Sequence, residues 1–212
     1  MLGRTHVSAG VTAALLVLHP TTVLGVGAAI AGGALGGMIC DIDCKGSERN
    51  RETIRGALCA AGCIVMAVVY DICYGNGLIA NIRNAVGMNL IIGCLGMLAC
   101  CIWGCLSPHR TFTHSLLGLL TMGFSVWLIS APLGYAFCAG MASHILLDLL
   151  NHRKIPLLYP LKKPAVSFGI CDAGGIVNTI LLEVFSAASV LLLFYFTVPA
   201  DVRQKLFGWL VQ

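Results

Sequence analysis

Long apolar runs separated by short polar segments constrain this chain more than any other feature of its sequence. Only 10% of its residues are charged, whereas soluble domains carry about 25%. In lipid a segment must satisfy its own backbone hydrogen bonds, so such runs form helices. The sequence therefore predicts an all-α integral membrane protein, a polytopic helical bundle of six or seven spans. The predicted spans are residues 5–18, 22–40, 57–74, 86–106, 115–130, 135–150 and 176–198.

The chain reads as a single domain, 1–212, because no charged or Pro/Ser-rich linker divides it. The first span would be about 21 Å long as a helix, short of a bilayer core of about 30 Å. No cleavable signal peptide is expected, since the first apolar run is not followed by a small-x-small cleavage site with a polar mature start. The net charge of +4 is modest, and it predicts loop orientation rather than nucleic-acid binding.

The cysteines do not indicate a disulfide framework or a zinc motif. There are eleven of them, no Cys-x-x-Cys pair occurs, and most lie inside apolar runs. In such positions a cysteine behaves as a small hydrophobic residue. Packing is therefore the expected role of these thiols.

Polar residues concentrate in the segment 107–115, between two apolar runs. It contains His109, His114, Arg110 and four hydroxyl side chains. Neutral imidazole is a common ligand for zinc and similar metals. The hydroxyl groups of Thr111, Thr113 and Ser115 would cap the next helix or hold the imidazoles in place.

Carboxylates accompany histidines elsewhere in the chain. His144 and Asp148 are four residues apart, which places them on one helix face about 6 Å apart. Asp41 and Asp43 follow the Gly-rich second span, and in an extended segment they would point to the same side. Because the helix dipole disfavours acids at a helix C-terminus, a cation should offset them, either a metal ion or Arg110.

The alternation of span direction puts these groups on one side of the membrane. Starts of odd spans and ends of even spans face the same side. The loops 44–56 and 151–175, which hold eight of the thirteen Lys and Arg residues, lie there too. The positive-inside rule therefore predicts that this side is cytoplasmic. The converging candidate metal ligands are His6, Asp41, Asp43, His109, His114, His144 and Asp148.

Four histidines and three aspartates exceed what one structural metal needs. They suit a two-metal site in which water is activated and an oxygen is polarised. Zinc is the expected ion, with manganese and magnesium as alternatives. Arg110 would bind a phosphate or carboxylate group. His152, four residues after Asp148, is either a further ligand or a loop residue.

The order of these motifs resembles the YdjM-type family of inner-membrane, metal-dependent hydrolases. The resemblance covers most of residues 4–185 and includes a Pro-Leu-Leu-Tyr-Pro loop at 156–160. It implies a helical membrane fold with a metal-dependent hydrolase site. The His-x-x-x-Asp element is also similar to one in zinc-dependent phospholipase C enzymes, which suggests phosphoester hydrolysis. Asn151 stands where the family often has Thr. The matching motifs are His6-x-x-x-Gly10, Asp41-x-Asp43, His109-Arg110-x-x-Thr113-His114-Ser115 and Ser143-His144-x-x-x-Asp148.

The main hypothesis is a membrane hydrolase acting on a phosphoester of a lipid or lipid-linked substrate. Its candidate catalytic residues are Asp41, Asp43, Arg110 and His144, with one aspartate bridging two ions or acting as general base. A transporter or channel for protons or metal ions is one alternative, although the far half of the spans is nearly free of polar residues. A non-catalytic membrane regulator is another. The sequence leaves the oligomeric state open.

Overall fold

The computed structural model describes residues 1–43, 87–108, 110–161, 165–172, 174–198 and 202. Within these ranges the protein is helical and has no β-strand, which confirms the all-α prediction. Two 3₁₀ turns, Cys40–Asp43 and Phe112–His114, contact each other at one end of the helices. The predicted span 57–74 lies outside the described residues. The helices are α1 (Gly3–Leu18), α2 (Val23–Ile39), α3 (Met88–Leu106), α4 (Leu116–Ile129), α5 (Ala131–Leu149) and α6 (Ile176–Thr197).

Three segments of the described chain are long and apolar enough to cross a membrane. They are Val23–Ile42, Met88–Leu106 and Ile176–Thr197. Leu116–Ile129 is apolar but shorter. The membrane class is supported by these helices, and the count of six or seven spans stays a prediction.

The connection between α4 and α5 differs from the predicted one. Residues 131–134 lie between the predicted spans 115–130 and 135–150, which implies a turn there, but they form the first turn of α5. A proline is tolerated there because the first helical N–H groups have no intrahelical partner. Ser130 alone joins the two helices. They pack as an antiparallel hairpin, in which a Cβ built on Gly134 would lie 2.5 Å from the Cα of Trp127.

Glycines bring α1, α2 and α5 into backbone contact. A Cβ on Gly33 would lie 2.5 Å from the carbonyl oxygen of Gly10, and one on Gly37 would lie 2.5 Å from that of His6. Gly140 of α5 meets the Gly33 carbonyl in the same way. Small residues allow this close approach in membranes. We call these four glycines the glycine seam: Gly10, Gly33, Gly37 and Gly140.

The other helices pack around this centre. α6 lies against α1, α3 lies against α4, and α4 lies against α5. The outer faces of α3 and α6 expose large apolar side chains such as Leu95, Trp103, Ile180 and Leu191. This arrangement places the start of α1 and the ends of α2 and α5 together, and the predicted site residues lie there.

Candidate metal centre

Six of the predicted site residues meet at this end of the bundle. All six are buried, and the imidazoles and Asp148 are fully inaccessible to solvent. Ionisable groups inside membrane proteins are costly and are usually functional. The cluster therefore calls for a chemical explanation. Its members are His6, Asp41, Arg110, His114, His144 and Asp148.

The carboxylate of Asp148 lies at the centre of the cluster. Its Oδ1 is 3.4 Å from Nε2 of His6, and its Oδ2 is 3.4 Å from Nε2 of His114 and 3.9 Å from Nε2 of His144. Across the cluster, Asp41 Oδ1 is 4.0 Å from the same His144 nitrogen. Charge-assisted hydrogen bonds are shorter, about 2.7–2.9 Å. Ligand atoms around tetrahedral zinc, at bond lengths of 2.0–2.1 Å, are about 3.4 Å apart, so these spacings suit atoms that share a cation.

The hydrogen bond at the back of His144 fixes which nitrogen faces the cluster. Nδ1 lies 2.7 Å from the carbonyl oxygen of Gly37. A carbonyl only accepts, so Nδ1 carries the proton in this bond and the lone pair of the neutral ring is on Nε2. Among the described residues that Nε2 has no hydrogen-bond partner. Metal-ligating histidines characteristically donate their other N–H to a carbonyl or carboxylate in this way.

The two other imidazoles are also held in place. Nδ1 of His114 lies 3.0 Å from the hydroxyl of Thr113, and the ring of His6 stacks on that of His144 with centroids 3.7 Å apart. Ser115 caps α4 by accepting a hydrogen bond from the N–H of Gly118 at 3.1 Å. Of the predicted roles for these hydroxyls, Ser115 therefore caps the helix and Thr113 contacts an imidazole.

Two groups of side chains have the geometry to hold an ion. One comprises His6, His144 and Asp148, the other Asp41, His114 and His144, and within each group the ligand atoms lie within 4.8 Å of one another. Both groups use His144, whose Nε2 has one lone pair and can ligate one ion. Asp148 has two oxygens that face different histidines. Together the two groups would hold metal with His6, Asp41, His114, His144 and Asp148.

Three further groups hold the Asp148 carboxylate. Arg110 places NH2 2.9 Å from Oδ2. On Oδ1, Nδ2 of Asn151 donates a 2.8 Å hydrogen bond and the backbone nitrogen of Met1 lies at 3.1 Å. The contacts of Met1 and Asn151 were not predicted. The spacing of Asn151, three residues after Asp148, is the sequence signal that pointed to one of them.

Some predicted ligands are not placed in the cluster. His109 lies outside the described residues, as does the side chain of Asp43, so both stay predictions. The extended geometry expected for Asp41 and Asp43 is wrong, because Cys40–Asp43 is a 3₁₀ turn. His152 is 60% exposed and lies near Asp172, which favours its reading as a loop residue.

The comparison with known families agrees with the resemblance seen in the motifs. The chain matches the family described as YdjM inner membrane protein over residues 1–205. It belongs to this family. The family description and the apolar helices together identify an inner-membrane protein.

A curated relative adds similarity but no activity. The chain is 34% identical over 105 residues to the "Uncharacterized protein YvsG" of Bacillus subtilis (strain 168). That match covers 49% of this chain and 58% of the relative, so the chain spans little more than half of the relative's length. No solved structure matches the chain.

Proposed function

We propose that this protein is a multi-pass membrane hydrolase that cleaves a phosphoester with a divalent-metal centre. The ion would be zinc or a similar metal, with two ions per site. When bound, it would supply Lewis acidity and an activated water. The proposed ligands are His6, Asp41, Asp43, His109, His114, His144 and Asp148.

The observation that carries this proposal is the orientation of His144. Gly37 takes the proton-bearing nitrogen, and the other nitrogen points its lone pair at two carboxylates 3.9 and 4.0 Å away. A lone pair and two carboxylates repel one another unless something positive lies between them. A buried salt bridge would offer shorter contacts, so a shared cation explains this spacing better.

The side chains of the cluster would divide the remaining work. Asp148 would hold metal together with the imidazoles around it, while Asp41, in the turn that follows α2, is the candidate general base. Arg110 would bind the anionic group of the substrate, since a guanidinium matches a phosphate in shape and charge. Each of these proposed roles is compatible with the contacts of Asp148, Asp41 and Arg110 described above.

An apolar cavity lined in part by the turn Phe112–His114 supports a lipid or lipid-linked substrate. It has a volume of about 310 Å³ and lies between α3, α4 and the loop that follows α5. Trp103, Leu117 and Tyr159 line it, together with Phe112. Phe112 starts the turn that ends at His114. A hydrocarbon tail in this cavity would therefore contact Phe112, which precedes the proposed ligand His114 by two residues.

The side of the membrane on which the site lies can be tested directly. Because the loops 44–56 and 151–175 carry eight of the thirteen Lys and Arg residues, we expect the site on the cytoplasmic side. A green fluorescent protein inserted in the loop after α5 should be fluorescent, and alkaline phosphatase inserted there should be inactive. The opposite pattern would place the site on the other side.

Metal analysis of the purified protein is the decisive test. Protein purified without chelator should carry at least about one zinc or similar ion per chain, as expected for a His/Asp site. The variant His144→Ala/Asp148→Ala should carry almost none. His152→Ala is the matched control, because it removes an exposed imidazole from the same end of the protein. An empty wild-type protein, or full occupancy of the double variant, would refute the proposal.

Hydrolysis and transport can then be separated in liposomes. The metal-loaded protein should release the headgroup or phosphate from a phospholipid, and chelation should stop the release. A protein that instead conducts protons or metal ions without hydrolysis would be the transporter of the alternative hypothesis.

A further inference from the structure

We propose that Arg110 exchanges partners during loading: it neutralises Asp148 in the metal-free protein and turns to the substrate phosphate once Asp148 binds metal. The inference rests on the metal centre proposed above and concerns how that centre is regulated. It makes metal binding a precondition for anion binding. An empty site would then hold its own guanidinium instead of a substrate.

The first support is the atom that Arg110 contacts. Its NH2 lies 2.9 Å from Asp148 Oδ2, and this oxygen also faces Nε2 of His114 at 3.4 Å and of His144 at 3.9 Å. The guanidinium therefore occupies the oxygen that the two imidazoles would share with an ion. A cation entering between them would approach the positive charge of Arg110 closely and repel it.

The second support is the difference between Arg110 and the other groups on Asp148. A carboxylate offers about four lone-pair sites, and Asn151 and the Met1 nitrogen take up Oδ1. The backbone of Asn151 is held in place. Its backbone carbonyl oxygen accepts a hydrogen bond from the Ser167 hydroxyl, and its backbone forms a β-bridge with Cys171. Arg110 lies outside any helix, between α3 and the turn Phe112–His114. Its long side chain can therefore leave Asp148 without moving a helix.

The third support is the backbone of Arg110. Its φ of 63° is in the left-handed region, which non-glycine residues adopt rarely and at a cost. Residues held in such conformations concentrate at ligand clamps and switches. The strained backbone aims a buried guanidinium at the centre of the cluster, where both of its proposed partners would bind.

The exchange predicts opposite effects of one substitution on two ligands. Without Arg110, the metal ion no longer competes with a guanidinium for Asp148 Oδ2, and the metal-free carboxylate loses the cation at that oxygen. Metal should then bind more tightly. Phosphate should bind the loaded protein more weakly, because its charge-assisted partner is gone. A residue that only supported the fold would weaken both.

Calorimetric titration of the purified protein in detergent tests this. Zinc is titrated into chelator-stripped protein, and inorganic phosphate into zinc-loaded protein, for wild type, Arg110→Met and Arg110→Gly. Glycine suits the left-handed backbone, so this variant guards against misfolding of the first. We expect the zinc Kd to fall about tenfold and the phosphate Kd to rise about tenfold, within the usual range of coupling between sites. Arg153→Met, which removes an exposed charge from the same end, should change neither.

The outcomes separate this inference from the proposed function. An unchanged or raised zinc Kd in both Arg110 variants would show that Arg110 does not compete for Asp148, and would overturn the inference alone. An unchanged phosphate Kd would do the same. A wild-type protein that binds no zinc, manganese or magnesium would overturn the metal centre and the inference together.

Discussion

The helices of this protein fall into two regions that are built differently. α1, α2 and α5 touch one another backbone to backbone along the glycine seam. α3 makes one such approach, from Gly93 to the carbonyl oxygen of Ser125 on α4, and α3 and α6 otherwise expose large apolar side chains. In the most apolar windows, 39% of the residues of α2 and its following turn are buried, against 11% for α3 and for α6. The mean hydropathy of these three windows is similar, at 1.9, 2.0 and 2.1, so the difference in burial comes from residue size.

The site follows the closely packed region. His6 extends from α1, Asp41 from the turn that follows α2, and His144 and Asp148 from α5. The seam residue Gly37 supplies the carbonyl that orients His144. His114 reaches the cluster from a turn outside these helices. A metal centre needs ligand atoms fixed within a fraction of an ångström. Backbone contact between helices provides that precision better than side-chain packing does.

The largest effect should come from adding a methyl group inside the seam. A Cβ at Gly33 would lie 2.5 Å from the Gly10 carbonyl oxygen and 2.8 Å from the Cβ of Ala14, so Gly33→Ala must separate two helices. We expect a loss of about 3 kcal/mol in the free energy of unfolding, together with loss of bound metal. Denaturation with sodium dodecyl sulfate in mixed micelles measures the first and metal analysis the second.

The matched control is Gly27→Ala, on the same helix. Nothing lies within 4 Å of a Cβ at that position, so its stability should stay within about 0.5 kcal/mol of wild type. Equal effects at the two positions would mean that the seam is no tighter than the rest of α2, and the contrast between the two regions would fail.

A smaller effect is expected where the outer helix α6 reaches the site. Oδ1 of the buried Asn178 accepts hydrogen bonds from the N–H of Leu2 at 3.1 Å and the hydroxyl of Thr5 at 3.0 Å. These bonds hold the start of α1, where His6 follows Thr5. Asn178→Leu would leave the buried hydroxyl of Thr5 and the partly buried N–H of Leu2 without this acceptor, at a cost of about 1–3 kcal/mol.

The metal affinity should distinguish this role from general stability. Displacing the start of α1 moves His6, so we expect the zinc Kd of Asn178→Leu to rise about tenfold, as for other groups that orient ligands. Thr179→Val, on the exposed side of α6, should leave both quantities unchanged. A destabilised Asn178→Leu protein with wild-type zinc affinity would show that α6 stabilises the fold without positioning His6.

Much of this arrangement could be predicted from the sequence because hydrophobicity and chain direction determine it. Apolar runs fixed the six described helices to within a few residues, and alternation of direction brought His6, Asp41, His144 and Asp148 to one end. The error at residues 131–134 arose because the segment Pro132-Leu133-Gly134 is compatible both with a turn and with the start of a helix.

Contacts that depend on the direction of individual side chains could not be predicted from the sequence. The pairing of Arg110 with Asp148 requires a left-handed backbone at 110, and no local pattern announces it. The donation from Asn151 and the carbonyl of Gly37 behind His144 depend on how closely helices approach. The sequence indicates that the glycines allow this approach, but not which carbonyl then meets which imidazole.

The smallest effect should come from the polar link between the two regions. The hydroxyl of Thr12 on α1 lies 2.8 Å from that of Ser189 and 3.0 Å from the carbonyl oxygen of Phe185, both on α6. Hydrogen bonds between membrane helices contribute only about 0.6 kcal/mol on average. The Thr12 hydroxyl also bonds the Ser8 carbonyl of its own helix, and this bond persists when α6 leaves. Thr12→Val should therefore cost about 0.6 kcal/mol.

Thr121→Val is the control, because that hydroxyl bonds Leu117 of its own helix at 2.8 Å and should contribute almost nothing to helix association. Both variants keep the shape of the side chain, so denaturation in mixed micelles compares the hydroxyls alone. A cost for Thr12→Val close to that of Gly33→Ala would mean that polar bonds hold the outer helices as firmly as backbone contact holds the inner ones. We instead expect the cost of Gly33→Ala to be about five times that of Thr12→Val. Such a difference would mean that close helix packing at glycines, rather than polar bonds, is what mainly holds the helices around the site.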